Sequence, residues 1–254
     1  MKRFLICLLA LSFCLPSLWA HSQDFPEKDQ EDCLLQIRKL YQEIQERIHL
    51  AGDKVFYLEF TVATTLGEEY DYEEHQTTAR LYANGHQSMF TSPEIEVYQD
   101  SSLTISIIPD KKQIYLMDYH QQKSKKTALQ NIALFQDSLF ALSSVAACEE
   151  ITREDGSKYK KIRLTVNENG QKLFQVKSLE FLIDVDKNLV MHTTVRYVEP
   201  FHIRQVSVSY QTIDFDHPSS PLANNFLSLI LDQQGKLQNN YQDYQLIDSR
   251  GKSQ

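Results

Sequence analysis

The sequence predicts a mainly β protein with helices, an incomplete antiparallel barrel whose concave apolar face is covered by helices. Three observations carry that expectation. About ten segments alternate apolar and polar residues and are joined by tight turns, the pattern of half-buried strands in a meander. One amphipathic helix precedes them with a single apolar stripe, so it needs another element to cover. A strongly apolar stretch interrupts the strands near mid-chain, with no second sheet to cover the first. So many consecutive strands curl rather than stay flat.

The chain opens with MKRFLICLLALSFCLPSLWAHS. Lys2 and Arg3 precede an apolar run from Phe4 to Leu15, Pro16 breaks it, and small residues around Ala20 supply a cleavage pattern. This is the layout of an export signal, too short and wrongly flanked for a transmembrane span. Phe13 stands before Cys14 where lipid attachment needs a small residue. The expected mature chain is therefore one domain, 23–254, that works outside the cytoplasm.

Removing residues 1–22 leaves 24 Lys and Arg against 34 Asp and Glu, a formal charge of −10. That surface excludes a nucleic-acid partner, which requires a positive footprint. Cys33 and Cys148 are the two cysteines left after the signal, in a compartment that permits oxidation. Joined, they would tie the first helix to mid-chain across 115 residues, worth about 4–5 kcal/mol in loop entropy. Two separate thiols are the alternative.

From Asp32 to His49, Cys33, Leu34, Ile37, Leu40, Tyr41, Ile44 and Ile48 recur at three/four spacing, and Gly52-Asp53 ends the helix. Lys54–Leu66 then alternates, with Phe56, Leu58, Phe60 and Val62 on one side and Val55, Tyr57 and Glu59 on the other. Strands follow over Thr77–Tyr82, Ser88–Thr91, Ile95–Gln99, Leu103–Ile108 and Gln113–Tyr119, with turns at Asn84-Gly85 and Pro109-Asp110. Residues 128–144 form the apolar helical insertion. The second half repeats the pattern over Tyr159–Val166, Leu173–Asp184, Leu189–Tyr197 and His202–Phe215. Its turns fall at Asp155-Gly156, Asn169-Gly170, Asp186–Asn188 and Glu199-Pro200. A C-terminal extension, 216–254, carries a third helix candidate at Leu222–Leu231 and a short strand at Tyr241–Ile247.

Catalytic and metal-binding patterns are poor. There is no HExxH, no paired His/Cys spacing, no Gly-rich phosphate loop and no G-x-S-x-G. The acidic run Glu68–His75 lacks calcium-loop periodicity and reads as a solvated turn. His192 and His202 flank one turn without a carboxylate or cysteine in register. Glu59, between Leu58 and Phe60, is accounted for by pairing with Arg80 on the next strand. No cofactor and no metal are expected. The apolar set is the stronger signal: Phe56, Leu58, Phe60, Ile105 and Ile107 read as walls of one interior, with Leu129, Ile132, Phe135 and Leu139 on a covering lid. Either these residues form a plain core, or the core is incompletely filled and takes an aliphatic ligand, at about 0.8 kcal/mol per buried CH₂.

The run Ser92–Tyr115, SPEIEVYQDSSLTISIIPDKKQIY, resembles the central hairpins of the periplasmic outer-membrane lipoprotein carriers (LolA/LolB-like). The order of elements over roughly 33–215 is similar too. The ending YQDYQLI resembles the C-terminal strand of diverged Bacteroidetes-type members. In such members an Asp-Gly-Lys-Thr turn leads into an alternating strand. Here Asp100 keeps the acid, Ser101 and Ser102 replace Gly-Lys, and Leu103, Ile105 and Ile107 take the alternating positions. The resemblance implies a half-barrel and a non-enzymatic, monomeric carrier of lipoprotein acyl chains or other lipids that works in the periplasm rather than being secreted, with donor and acceptor envelope proteins as partners. A sensor or protein-interaction module on the same scaffold is the alternative, and a hydrolase the remote one.

Overall fold

The computed structural model describes residues 28–50, 54–67, 74–84, 87–118, 138–199, 201–218, 221–222 and 225–251. The export signal read over 1–22 lies outside them. Helix α1 spans Lys28–Leu50, one turn longer at its start than the apolar stripe alone indicates. Then come β1 (Phe56–Leu66), β2 (Glu74–Ala83), β3 (Ser88–Thr91), β4 (Glu96–Gln99), β5 (Leu103–Ile108) and β6 (Gln113–Asp118). After a helical turn at 138–141, the chain continues through β7 (Ser143–Thr152), β8 (Lys158–Val166), α2 (Glu168–Phe174), β9 (Val176–Asp184), β10 (Leu189–Tyr197) and β11 (Ile203–Asp214). The described C-terminal part adds α3 (Leu227–Ile230) and β12 (Gln245–Asp248).

All twelve strands belong to one sheet, ordered β12-β6-β5-β4-β3-β2-β1-β11-β10-β9-β8-β7, and it does not close into a barrel. The expected half-barrel is therefore present, but built from two meanders rather than one. Strands β1–β6 run outward in one direction and β11–β7 in the other, and the long strands β1 and β11 join them in the middle, with Phe60 opposite Tyr210 and Val62 opposite Val208. Among the described strands only β12 breaks the antiparallel rule, pairing parallel with β6.

Three elements differ from their sequence reading. Ser143 and Ser144 open β7, not the end of a helix, so the helical insertion stops before 143. Strand β7 was hidden by small residues, SSVAAC, and as the sheet's edge it buries little. Asn169-Gly170 is not a hairpin turn but lies inside α2. There Asn167 caps the helix, its Oδ1 accepting from the Gly170 N–H at 2.9 Å. A Cβ on Gly170 would meet Val166 Cγ1 at 2.5 Å, so close packing explains this glycine. The third helix candidate contracts to the four residues of α3.

Opposed residues in a ladder share a face, which lets each face be followed strand by strand. Leu58 faces Leu81, Leu81 faces Phe90, Phe90 faces Val97 and Val97 faces Ser106. This inner face carries α1. Ile37 and Leu40 of α1 are buried with Cys33 and Tyr41 in a core that includes Phe60, Ile162, Leu164, Phe181 and Val206. Each fully buried side chain of this kind contributes about 1.5–3 kcal/mol. Cys33 is joined to Cys148 of β7 by a disulfide, Cα to Cα 6.5 Å, which pins α1 to the sheet's edge.

The outer face is covered as well, over a different set of strands. Tyr82 faces Met89, Met89 faces Tyr98, Tyr98 faces Ile105 and Ile105 faces Leu116. Over β4–β6 this face holds a second core of Tyr98, Leu103, Ile105, Ile107, Ile114 and Leu116, closed by Phe226 and Ile230 of the C-terminal segment. Over β8–β11 the outer face is largely polar, Tyr159 and Leu182 apart. The continuous interior expected from alternation is thus two cores, one on each side of the sheet.

Candidate functional site: an apolar cleft beneath the first helix

Where the C-terminal half of α1 crosses the inner face, it leaves a small, partly open apolar cleft of about 20 Å³. Tyr41 and Ile44 of α1 form its roof. Its floor is Phe56 and Leu58 of β1, Val190 of β10, and Tyr210 and Ile213 of β11. All five floor residues come from the three strands that meet where the two meanders join. An aromatic trio stands beside it: the Tyr41 ring lies 6.3 Å from both Phe140 and Phe181, which are 6.1 Å from each other.

The sheet end beside Val190, Ile213 and Phe56 holds polar side chains. Glu43 of α1 accepts a hydrogen bond from Asn188 Nδ2 at 3.0 Å, linking the helix to the β9–β10 turn. The Arg47 guanidinium lies 4.9 Å above the ring of Phe215, which in turn packs 5.3 Å from Phe56. Lys54 pairs with Asp216 at 2.7 Å, and His217 bonds Asp214 at 3.2 Å. Lys187 pairs with the buried carboxylate of Asp184 at 3.2 Å.

The structure separates the residues predicted as site walls. Phe56 and Leu58 line the cleft. Phe60, two residues on, shares their face but is core, with its ring between Phe90 and Tyr210. Ile105 and Ile107 lie on the opposite face, beneath the C-terminal segment, and cannot share a cavity with Phe56. The reason is a parity difference between strands that alternation alone does not reveal. Leu139 is fully buried in the inner core beside Phe140, while Leu129, Ile132 and Phe135 lie outside the described residues. Val190, Tyr210 and Ile213 were missed as walls. Their strands were legible, but their adjacency to β1 depends on the non-local pairing of β11 with β1.

Polar features resolve into structural pairings. Arg80 Nε donates to Glu59 Oε1 at 2.8 Å on the outer face, as expected from their neighbouring strands. His192 sits opposite Ser209 rather than near His202, so the two histidines do not form a site. Its Nδ1 lies 2.9 Å from Ser209 Oγ and its Nε2 3.0 Å from Thr194 Oγ1. Burial keeps the His192 pKa below the ordinary histidine value, with Glu180 opposing weakly. Ser143 donates its hydroxyl to the Leu139 carbonyl at 2.6 Å. Glu68–Asp71, Tyr72 and Glu73 of the acidic run lie outside the described residues. Among the described residues no group of three or more His, Cys, Asp or Glu is arranged to hold a metal, and no helix is long and apolar enough to cross a membrane.

The fold and cleft define a half-barrel whose apolar inner face is covered by a disulfide-pinned helix. No family model matches the sequence, and no curated protein matches it. Solved structures similar to it include an uncharacterized conserved protein from Thermus thermophilus, at 10% identity and TM-score 0.41 over 82% of this chain and 98% of that one. A LolA superfamily protein from Nitrosomonas europaea is similar at 11% identity and TM-score 0.31, over 71% of this chain and 94% of that one. A third is in the Pseudomonas aeruginosa MucA/MucB complex, at 10% identity and TM-score 0.38 over 81% of this chain and 63% of that one.

Proposed function

We propose that the protein is a non-enzymatic periplasmic carrier that takes aliphatic chains, the acyl chains of lipoproteins or of another lipid, beneath α1. The observation that supports this reading is the cleft under Tyr41 and Ile44, lined wholly by aliphatic and aromatic residues. As it stands it has room for about one water, so cargo must displace the C-terminal half of α1. The magnitudes favour that exchange. Exposing Leu40, Tyr41 and the half-buried Ile44 costs about 4–9 kcal/mol, against about 10 kcal/mol returned by burying a twelve-carbon chain. The disulfide at Cys33 keeps the other half of the helix in place while this happens.

An interaction module on the same scaffold calls for a contiguous exposed apolar patch. Among the described residues the exposed large apolar side chains, Leu35, Ile151, Leu173, Val185 and Leu229, are instead spread over four elements and the β9–β10 turn. A carrier implies donor and acceptor partners in the envelope. Purification from the native periplasm under gentle conditions, followed by mass spectrometry, tests the reading. Co-purifying lipid or acylated protein is expected. An empty protein that also fails to take acylated cargo from membranes would overturn it.

A further inference from the structure

We infer that Arg47 is the headgroup-recognition residue of the cleft and that the preferred cargo is an amphiphile with an anionic head, a carboxylate or a phosphate. This rests on the carrier reading and adds the class of head to the class of tail. Arg47 lies one turn beyond the roof residue Ile44. Its guanidinium is stacked on Phe215, whose ring packs on the floor residue Phe56. It therefore stands one ring, Phe215, from the apolar floor and is exposed to solvent. The neighbouring carboxylates are engaged elsewhere. Glu43 is held by Asn188, Glu46 by Gln42, Asp214 by His217 and Asp216 by Lys54. Among the described residues Arg47 has an aromatic face as its partner and makes no ion pair.

An exposed cation–π contact is weaker than a charge-assisted hydrogen bond to an anion. A tail entering under Ile44 lifts the helix turn that carries Arg47 off Phe215. An anionic head then gives that guanidinium a stronger, bidentate partner than the ring it leaves. The same movement that opens the apolar cleft frees the cation, so tail and head are read together.

Calorimetric titration of the full mature chain with dodecanoate, dodecyl phosphate and dodecyl maltoside tests this, using wild type, Arg47→Gln and Arg47→Lys. Circular dichroism melts check that each variant is folded. Arg47→Gln is expected to weaken the two anionic amphiphiles about tenfold or more and to leave the maltoside unchanged, with Arg47→Lys, which keeps the charge but not the bidentate fork, falling between wild type and Arg47→Gln. The ratio of dodecanoate to dodecyl phosphate binding in wild type distinguishes carboxylate from phosphate as the head. An equal change in affinity for all three ligands on Arg47→Gln, in either direction, would mean that Arg47 acts on the helix rather than on the head and would overturn the inference. Unchanged anion binding would overturn it too. If wild type binds none of the three, the carrier reading itself fails.

Discussion

Tyr98 and Phe226 pack ring against ring, centroids 5.4 Å apart, on the outer face of the sheet. That contact places the C-terminal segment over Ile105 and Ile107, on the far side of the sheet from the cleft floored by Phe56 and Leu58. Lys112 and Asp243 form an ion pair beside it, and β12 extends the sheet along β6. The segment is thus a structural cover for an apolar face that would otherwise meet water.

Ile105→Ala and Phe226→Ala are each expected to cost about 2–5 kcal/mol in urea unfolding. Both substitutions should leave the affinity for an aliphatic probe unaltered once the fold is intact. Loss of binding without loss of stability in Ile105→Ala would place this residue in the cleft after all.

Reduction of the Cys33–Cys148 bond, or the double substitution to Ser, should lower stability by about 2–5 kcal/mol, because the bond closes 115 residues of chain in the unfolded state. The sheet's circular dichroism should persist, since the ladders do not depend on α1. Limited proteolysis is expected to attack α1 first.

Gly170→Ala should destabilise by about 1–3 kcal/mol, as its Cβ would press on Val166 Cγ1 at 2.5 Å and on Leu142 Cβ at 3.0 Å. A thermal shift comparable to that of an exposed helix position, such as Lys172→Ala, would show that α2 can move away at little cost.

His192 gives stability a pH dependence with a definite sign. Burial lowers its pKa in the folded protein below the usual 6.5, so the unfolded chain takes up the proton first as pH falls. The contribution of neutral His192 is complete above about pH 6.5 and is lost below it, by at most about 1.4 kcal/mol per pH unit. Denaturant titrations between about pH 7.5 and about pH 5.5 should show a flatter profile for His192→Gln than for wild type. Parallel profiles would mean that the imidazole is as free to charge in the folded protein as in the unfolded one.

Much of the fold can be read locally. The stripe Cys33, Ile37, Leu40, Tyr41 and Ile44 marks a helix that needs a cover, and Phe56, Leu58, Phe60 and Val62 alternate as one buried face. The turns at Asp155-Gly156 and Asp186–Asn188 fall where Gly156 and Asn188 take positive φ. These signals depend on neighbours within a few residues, and chain position is enough to see them. Strand β7 and α2 escaped because small residues and an Asn-Gly pair are ambiguous when read without their packing partners.

The sequence by itself therefore determined a strand-rich chain, a one-sided first helix, and a pair of cysteines that could meet. Tertiary structure decided which side each apolar row faces. Alternation has a period of two but no sign, so Ile105 and Phe60 look equivalent along the chain although they point to opposite faces. Only the ladder of pairings linking β1 through β4 to β5 sets their relative parity. Likewise, the cleft exists because β11 returns across 140 or so residues to lie beside β1, and α1 crosses that seam. Such contacts are set by the balance of many distant burials, and no local window of sequence contains them.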